Sequence, residues 1–489
     1  MINIFNDLNL ISPELYLILG SMFVLLTVSF CKTQQHKAAI FLCFITASFA
    51  LIILFFQAFN FFHEENATRE VIFNSMLSVD RYSIFSRILI LASGIVIILM
   101  MYAKATFQKE KDFEVPILAL LSIAGMMLMV GCTSLISLYV SMEIMSLPLY
   151  ILAASKRDDS ISTEAGMKYF ILGSLSSCLY LFGASLIYGF TGQLSFDGIF
   201  QAVDNRIDPA LLFGIIFIIT SFCFKISAVP FHMWTPDVYQ GSPTIVTSFF
   251  ATAPKVASFT LFGRLLFDPF FGAANQWQQI VIFIALASML IGSLGAIVQK
   301  NFKRLLAYSS IGHMGFALSG FASGEESGIS SALIYLGIYV TMTLTIFACI
   351  LMLRRDGEEV ENIYELNGLA TNHPYMAFAI AVIMFSMAGV PPLAGFFAKF
   401  VVLQALVANS LYITAVIFVI ASIIAAYYYL NVIKIMYFEG NAVALDKPFS
   451  IILTSIAAVG VVINLIYFIF PTSLFDIARS TVELFIRIV

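Results

Sequence analysis

Apolar residues occupy long, nearly uninterrupted stretches of this chain, and short polar segments separate them. A helix needs about 20 mostly apolar residues to cross the hydrocarbon core of a bilayer. Fourteen such windows predict an all-α polytopic membrane protein with about 14 transmembrane helices. The windows lie near residues 11–31, 38–62, 78–103, 115–132, 134–154, 164–190, 210–240, 243–267, 277–299, 304–323, 328–353, 374–408, 411–437 and 450–471.

Two of these windows, 210–240 and 374–408, are long for a single straight span. The first contains Pro230, and the second contains Pro391 and Pro392. A proline removes one backbone donor and clashes with the preceding turn. In lipid, the carbonyl groups that this frees need partners from protein or water. Each long window is therefore predicted to be a broken helix whose break lies in polar, hydrated surroundings.

The two broken helices are each the fourth member of a group of five, helices 4–8 and helices 9–13. Because five is odd, the second group enters the membrane from the opposite side, which makes an inverted repeat. Inverted repeats with discontinuous helices are a common plan for secondary transporters. The alternative is that fourteen helices can always be divided somehow. The predicted parts are an N-terminal three-helix segment, two repeats and a C-terminal helix with its tail, at residues 1–110, 111–270, 271–440 and 441–489.

Basic residues are distributed unevenly between the loops. Each loop takes the number of the predicted helix that precedes it. Fourteen Lys and Arg residues lie in the odd-numbered loops, and six lie in the even-numbered loops and the C-terminal tail. Cytoplasmic loops of membrane proteins carry the excess of Lys and Arg. The odd-numbered loops are therefore predicted to be cytoplasmic, and both termini to lie on the opposite face.

Composition supports the membrane interpretation and excludes several other classes. Hydrophobic residues make up 60% of the 489 residues and charged residues 11%, less than half the ~25% usual in soluble domains. The net charge of −4 offers no basic excess for nucleic acid. The six cysteines form no CxxC pair, and no motif for a dinucleotide, a nucleotide phosphate or a metal is present. The chain is not expected to bind NADH, flavin or ATP by itself.

Four ionisable residues interrupt otherwise apolar windows. Glu143 lies within helix 5, Lys225 just before the first break, Lys255 directly after Pro254, and Lys399 just after the second break. Charges at this depth are costly and mark functional sites by default. A lysine in a low-dielectric site can release a proton as well as hold one. The four residues therefore predict a proton relay.

The alternative for these charges is a static ion pair between Glu143 and one lysine, kept for packing specificity. Such a pair accounts for one lysine and leaves the other two cations unexplained, which favours the relay.

Further polar residues could extend the relay. His313 lies a third of the way into helix 10, and an imidazole exchanges protons near neutral pH; a hydrogen-bonded structural histidine is an equal alternative. His232, after the first break, could carry protons or cap freed backbone. Lys168 could feed protons to helix 5 or anchor its helix at the interface. Ser309 and Ser310 could order water or hold helices together.

Three segments, KISAVPFHMWTPDVYQGSPT, KRLLAYSSIGHMGF and SMAGVPPLAGFFAKF, resemble the antiporter-like membrane subunits of respiratory complex I. Those subunits are similar to the large subunits of multisubunit Na⁺/H⁺ antiporters. The resemblance covers essentially the whole chain. Three features favour one branch of the family. These are the segment PDVYQGSPT, Lys399 at a position where another branch typically has glutamate, and the expected lack of a lateral amphipathic helix after helix 14.

The resemblance implies that each repeat contains one half-channel for protons, and that a hydrophilic axis runs through the centre of the chain. The residues at the family's relay positions are Glu143 in helix 5, Lys225 in helix 7, Lys255 in helix 8, His313 in helix 10 and Lys399 in helix 12. A further candidate is Lys300, in helix 9 or the loop after it. The resemblance implies no redox cofactor in this chain, with NADH, FMN, iron–sulfur clusters and quinone in partner subunits.

The resemblance also implies partners and a location. The expected partners are other complex I membrane subunits, including neighbouring antiporter-like subunits, the hydrophilic redox arm indirectly, and membrane lipid, but no nucleic acid. The expected location is the bacterial inner membrane, with both termini periplasmic. Three functions stay open: a proton-translocating subunit of NADH–quinone oxidoreductase, a subunit of a standalone cation/proton antiporter, and a purely structural membrane subunit.

Overall fold

The structure of the protein is a computed structural model, and its secondary structure is almost entirely helical. It describes residues 4–30, 34–63, 69–107, 112–205, 208–440, 445–446, 450–469 and 471–482.

The helices follow the apolar windows of the sequence. The first twelve are α1 Ile4–Leu10, α2 Ser12–Phe30, α3 Gln35–His63, α4 Arg81–Phe107, α5 Glu114–Val130, α6 Leu135–Ala153, α7 Ser160–Thr191, α8 Phe196–Asn205, α9 Pro209–Lys225, α10 Trp234–Gly241, α11 Thr244–Phe250 and α12 Ala253–Phe267. The remaining nine are α13 Ala274–Ile297, α14 Phe302–Phe321, α15 Glu326–Met352, α16 Leu369–Asn372, α17 Pro374–Ala388, α18 Ala394–Ala408, α19 Tyr412–Phe438, α20 Ile451–Ile466 and α21 Thr472–Val482.

This architecture confirms the predicted all-α polytopic membrane fold. In the described part of the chain, nine helical segments are long and apolar enough to cross a membrane, and five shorter apolar helices accompany them. Each predicted window overlaps at least one of the α-helices. The count of 14 spans and the division into two repeats stay predictions.

Two small antiparallel hairpins, which the apolar pattern does not predict, join helices at the surface. The first pairs β1 Glu70–Ile72 with β2 Leu77–Val79, and the second pairs β3 Arg354–Arg355 with β4 Glu358–Glu359. Both strands of each hairpin are too short for a hydrophobic alternation to be visible in the sequence.

The chain forms two compact units. The first consists of Met1–Ile226, Thr252–Trp277 and Arg479–Val489. Within this unit α7 packs against α9, α5 against α6, and α12 against α4, α5 and α9. Helix α12 is buried along its entire length, so a charged residue on it has no direct route to solvent or lipid.

The second unit consists of Ser227–Ala251 and Gln278–Ala478. Its central helix is α15, which packs against α11, α14, α17, α18 and α20. Nearly every residue of α15 is buried, which explains why its apolar window carries no polar face for lipid or water.

Both predicted helix breaks are present. The first window divides into α9 and α10, and the second divides into α17 and α18. A third break was not predicted, because the window 243–267 was treated as one helix. It ends at Phe250 as α11 and resumes at Ala253 as α12. Pro254 lies in the first turn of α12, where its missing amide costs nothing, and it prevents α11 from continuing as a regular helix.

Candidate functional site

Lys225 lies at the first helix break, as the last residue of α9, and its side chain is buried. Its Nζ donates to Ser146 Oγ at 2.7 Å and to Tyr150 OH at 3.3 Å, both on α6. The same Nζ lies 5.8 Å from the centroid of the Tyr150 ring. The C-terminal end of a helix carries partial negative charge, which favours a cation there. The sequence folds so that a half-helix end and two hydroxyl groups hold this ammonium.

Tyr150 can reach Lys225 because α7 has a glycine, Gly173, opposite the Tyr150 ring. A Cβ on Gly173 would lie 2.6 Å from Cζ of the Tyr150 ring, closer than real carbon atoms approach. The edge of the Tyr150 ring also meets Tyr169, at 4.8 Å between the ring centroids. Gly173 therefore makes room for the phenol, and Tyr169 fixes its direction.

Glu143 lies on the same face of α6 as the two hydroxyl groups, because residues three and seven positions apart share a helix face. Its side chain is half-buried, and Oε1 accepts a 2.6 Å hydrogen bond from Ser177 Oγ on α7. Among the described residues, no ion pair within 4.0 Å joins Glu143 to a lysine. The static Glu143–lysine pair is therefore not formed, although a carboxylate and an ammonium group lie along one helix face.

Lys255 belongs to the same unit and is 1% exposed. It is the third residue of α12, where the partial positive charge of a helix N-terminus opposes a cation. The first unit thus holds Glu143, Lys225 and Lys255, each on a helix that packs within it.

Lys399 lies at the second helix break, buried on α18. Its Nζ donates to the Ala388 carbonyl at 2.9 Å and to Ser422 Oγ on α19 at 3.0 Å. It also lies 4.9 Å from the centroid of the Phe316 ring on α14. Ala388 is the last residue of α17, so the lysine satisfies one of the carbonyls that the break frees. This lysine was predicted at the break, but its partners were not.

His313 is buried on α14 between two tyrosines. Its Nδ1 lies 2.6 Å from Tyr335 OH on α15, and its Nε2 lies 3.0 Å from Tyr429 OH on α19. Ser309 Oγ meets the same Tyr429 hydroxyl, and Ser310 Oγ lies 2.6 Å from Tyr339 OH. Both ring nitrogens are thus hydrogen-bonded, and groups that can each donate and accept connect three helices.

Sequence reasoning missed these tyrosines. A usable signal was present: Tyr335 and Tyr339 stand four residues apart in an otherwise apolar helix, which places two hydroxyl groups on one face. Buried tyrosine hydroxyls usually find a hydrogen-bond partner.

The prolines occupy the breaks as predicted. Pro230 lies between α9 and α10, and Pro391 and Pro392 lie between α17 and α18. At the first break, the Val229 amide donates to Ser288 Oγ on α13 at 2.9 Å. A polar side chain therefore supplies a partner for one backbone group at this break, and the hydrated surroundings of the breaks stay a prediction.

The secondary candidates are less buried than Lys225, Lys255 and Lys399. His232 is half-buried in the turn before α10. Lys168 pairs with Glu164 one turn earlier on α7 at 2.7 Å, and both side chains are exposed. Lys300 is exposed in the loop between α13 and α14, which settles that it does not lie within a helix. The relay roles of these three residues stay predictions.

Ion pairs that contain a buried side chain escaped the sequence reasoning, and two of them bear on the relay helices or their neighbours. Glu14 on α2 and Arg87 on α4 are joined at 2.9 Å and are both fully buried. Lys303, in the first turn of α14, pairs with Glu361 at 2.7 Å; the lysine side chain is 5% exposed and the glutamate 41%. Arg87 interrupts an apolar run and could have been found on that ground, whereas Lys303 was counted among the loop residues.

Within the described ranges, no group of three or more His, Cys, Asp and Glu side chains is arranged to hold a metal ion. The buried lysines, their hydroxyl partners and the imidazole of His313 are groups that can hold or exchange protons.

A family model described as "NADH:quinone oxidoreductase/Mrp antiporter, TM" matches residues 132–425. This range contains both helix breaks and all five proposed relay residues. The chain therefore belongs to the NADH:quinone oxidoreductase/Mrp antiporter family of transmembrane subunits.

Within that family, the chain is 42% identical to the "NADH-quinone oxidoreductase subunit N" of Paramagnetospirillum magneticum, over 98% of each chain. It is similar to a chain of respiratory complex I from Thermus thermophilus, with 26% identity, a TM-score of 0.80 and coverage of 96% of this chain and 99% of the other. It shares its fold with a chain of the Mrp complex from Dietzia sp., with 20% identity, a TM-score of 0.86 and 97% coverage of both. The family branch favoured from sequence is confirmed by the first relative's name.

Proposed function

We propose that this chain is the N-type proton-translocating membrane subunit of an NADH–quinone oxidoreductase. The observation that carries the proposal is that two buried lysines serve the two breaks. Lys225 is the last residue of the half-helix α9, and the Nζ of Lys399 on α18 binds the carbonyl at the end of the half-helix α17. Discontinuous helices with titratable groups at their ends are the arrangement that transporters use for ions and protons. The relatives are named as subunits of NADH-quinone oxidoreductase, and these names are the reason for proposing a redox partner.

Glu143, Lys225 and Lys255 form the proposed relay of the first unit, and His313 and Lys399 that of the second. Each lysine can take up and release a proton at Nζ, and the imidazole of His313 can pass one between its two ring nitrogens. The hydroxyls bound to these groups can donate and accept in turn, so a proton can move without any side chain leaving its site.

The energy for transport comes from partner subunits. Moving one elementary charge across the membrane costs about 2.3 kcal/mol per 100 mV. We assign the supply of this energy to redox chemistry in partner subunits, which would hold NADH, FMN, iron–sulfur clusters and quinone. The partners are neighbouring antiporter-like subunits and, indirectly, the hydrophilic redox arm. The chain is a multi-pass membrane protein, and we place it in the bacterial inner membrane with both termini periplasmic.

The proposal is tested by affinity purification of the tagged chain from membranes in mild detergent, scored for NADH dehydrogenase activity. Co-purifying activity is expected. Recovery with only small membrane partners and no dehydrogenase, together with Na⁺/H⁺ exchange in vesicles, would replace the proposal with a cation/proton antiporter subunit. Normal pumping in assembled variants that lack Lys225 or Lys255 would assign the chain a purely structural role.

A further inference from the structure

A charged cavity of about 560 Å³ opens beside two loops, the loop before α14 and the loop after α15. Its carboxylates outnumber its cations: it is lined by Asp356, Glu358, Glu359, Glu361 and Glu365, against Lys300 and Arg355. The two loops are held together by backbone hydrogen bonds, from the Phe302 amide to the Glu361 carbonyl at 2.7 Å and from the Ile363 amide to the Lys300 carbonyl at 2.9 Å. Both are odd-numbered loops, which the distribution of basic residues predicts to be cytoplasmic.

One ion pair connects this cavity to the buried interior. Glu361 faces the cavity, and its Oε1 pairs with Lys303 Nζ at 2.7 Å while its Oε2 accepts from Asn301 Nδ2 at 2.8 Å. Lys303 Nζ also donates to the Ser242 carbonyl at 3.3 Å. The glutamate side chain is 41% exposed and the lysine side chain 5% exposed. The pair therefore spans the boundary between water and the protein interior.

The buried end of the pair lies on the helix that carries His313. Lys303, Ser310 and His313 are spaced at positions i, i+7 and i+10 of α14, which places them along one helix face. At about 1.5 Å per residue, Lys303 and His313 are separated by roughly 15 Å along the helix axis. Ser310 lies between them and is hydrogen-bonded to Tyr339 of α15. One turn beyond Tyr339, toward the same end of α15 as the cavity, the buried Thr343 adds a further hydroxyl.

We infer that the Glu361–Lys303 pair is the proton inlet that supplies the His313 network from the charged cavity. Glu361 takes a proton from water in the cavity, and Lys303 passes its own proton inward and is reprotonated by the Glu361 carboxyl group. Only O–H and N–H bonds break and form, and each proton that leaves Lys303 is replaced from the cavity. This inference rests on the proposed proton-translocating function and adds a point of uptake to it.

Other charged groups near the pair have their own partners. Arg304 points to Asp237 at 2.6 Å and to Gln240 at 3.2 Å, both on α10. Glu359 accepts from Thr244 and lies 3.6 Å from Arg354. Among the cavity carboxylates, Glu361 is the one bonded to a buried lysine, so it is the one placed to pass a proton to Lys303.

The inference is tested with Glu361→Gln in the intact complex, reconstituted in vesicles, with proton pumping and quinone reduction measured together at pH 6 and pH 8. The matched control is Glu365→Gln, which removes a carboxylate from the same cavity without touching Lys303. Glu361→Gln is expected to lower pumping by about tenfold at pH 8, a conservative figure for loss of a positioned proton-transfer group, and by much less at pH 6. Glu365→Gln is expected to match the wild type at both pH values, and Glu361→Asp to restore most of the rate.

Equal behaviour of Glu361→Gln and Glu365→Gln would overturn the inference. A merely structural role for Glu361 would reduce the amount of assembled complex and lower the remaining activity equally at both pH values, which would also overturn it. Lys225→Ala in the same assay separates the inlet from the wider proposal. If Lys225→Ala stops pumping while Glu361→Gln pumps normally, only the inlet fails. If neither variant affects pumping, the proposed function fails as well.

Discussion

Replacing Lys225 with alanine is the most direct test of the buried relay, and we expect the complex to assemble and to lose most of its activity. The ammonium is held by Ser146 at 2.7 Å and by Tyr150 at 3.3 Å. The substitution strands these two hydroxyls, at about 1–3 kcal/mol each. It also removes a cation whose insertion at the membrane centre costs roughly 2.5–3.5 kcal/mol. The two effects offset each other to within about 3 kcal/mol, so folding should survive.

Activity should respond differently, because a relay cannot skip a member. A positioned group that transfers a proton typically contributes ~10²-fold or more to the rate of its step. Because transport and redox chemistry are coupled, quinone reduction and proton translocation should fall together, each by at least about tenfold on that basis. Both are measured in the same membrane vesicles, from NADH oxidation and from quenching of a pH-sensitive dye. The amount of assembled complex is measured alongside.

Two further variants remove the remaining ambiguity. Lys434→Ala deletes an exposed lysine on α19 whose pair with Glu439 is open to solvent, so it should leave turnover intact. Lys225→Arg keeps a cation at the break, but a guanidinium does not release its proton in proteins, so a relay should stop. A normal proton-to-electron ratio in Lys225→Ala, or wild-type turnover in Lys225→Arg, would refute the relay role of Lys225.

Other substitutions probe the second break, the packing of the first site and the ion pair between Asp80 and the buried Arg264. Lys399→Glu keeps an ionisable group at this position, but an ionised carboxylate cannot donate to the carbonyl at the end of α17. Partial pumping is therefore expected in vesicles, and complete loss of pumping would mean that the hydrogen-bond donor itself is required. Gly173→Ala should push the Tyr150 phenol off its lysine, with overpacking of about 1–3 kcal/mol and reduced quinone reductase activity in assembled complex; unchanged activity would show that the phenol contact is dispensable. Burial raises the pKa of Asp80, in the loop before α4, but the Arg264 guanidinium 2.7 Å away outweighs it and holds that pKa at about 2. The pair therefore stabilises the fold above the carboxyl's unfolded pKa of about 4, and this stabilisation is lost as the pH falls through about 2. Asp80→Asn should lower the free energy of unfolding by roughly 2 kcal/mol at neutral pH and leave it unchanged below pH 2, as measured by thermal unfolding.

The helices and the two proline breaks could be predicted from the sequence because their causes are local. An apolar stretch of membrane length has few alternatives to a helix in lipid, and a proline interrupts the helix in which it stands. The same logic would have found the break between α11 and α12 if Pro254 had been weighed as Pro230 was. The lysines could be identified for a related reason, since a charge in an apolar window is visible without knowing its neighbours.

The partners of those charges could not be predicted, because they depend on how each helix is rotated about its axis. Lys225 is bound by residues of α6 that stand 79 and 75 positions earlier in the chain. Glu143 turns toward Ser177 rather than toward a lysine. Helix orientation is set by close packing on other helices, and a single sequence without a repeat visible at the residue level carries little information about it.

The position of Lys399 explains why a transport protein would combine a broken helix with a lysine. The Ala388 carbonyl, the Ser422 hydroxyl and the Phe316 ring all interact with its Nζ, and each of these contacts is stronger to an ammonium than to a neutral amine. A change in the proton occupancy of Lys399 therefore changes how firmly the end of α17 is held. A continuous helix would have no free carbonyl to respond in this way, since its backbone groups bind one another. The break makes protonation and local backbone geometry interdependent, and such a dependence is required if an event elsewhere in a complex is to move protons through this chain.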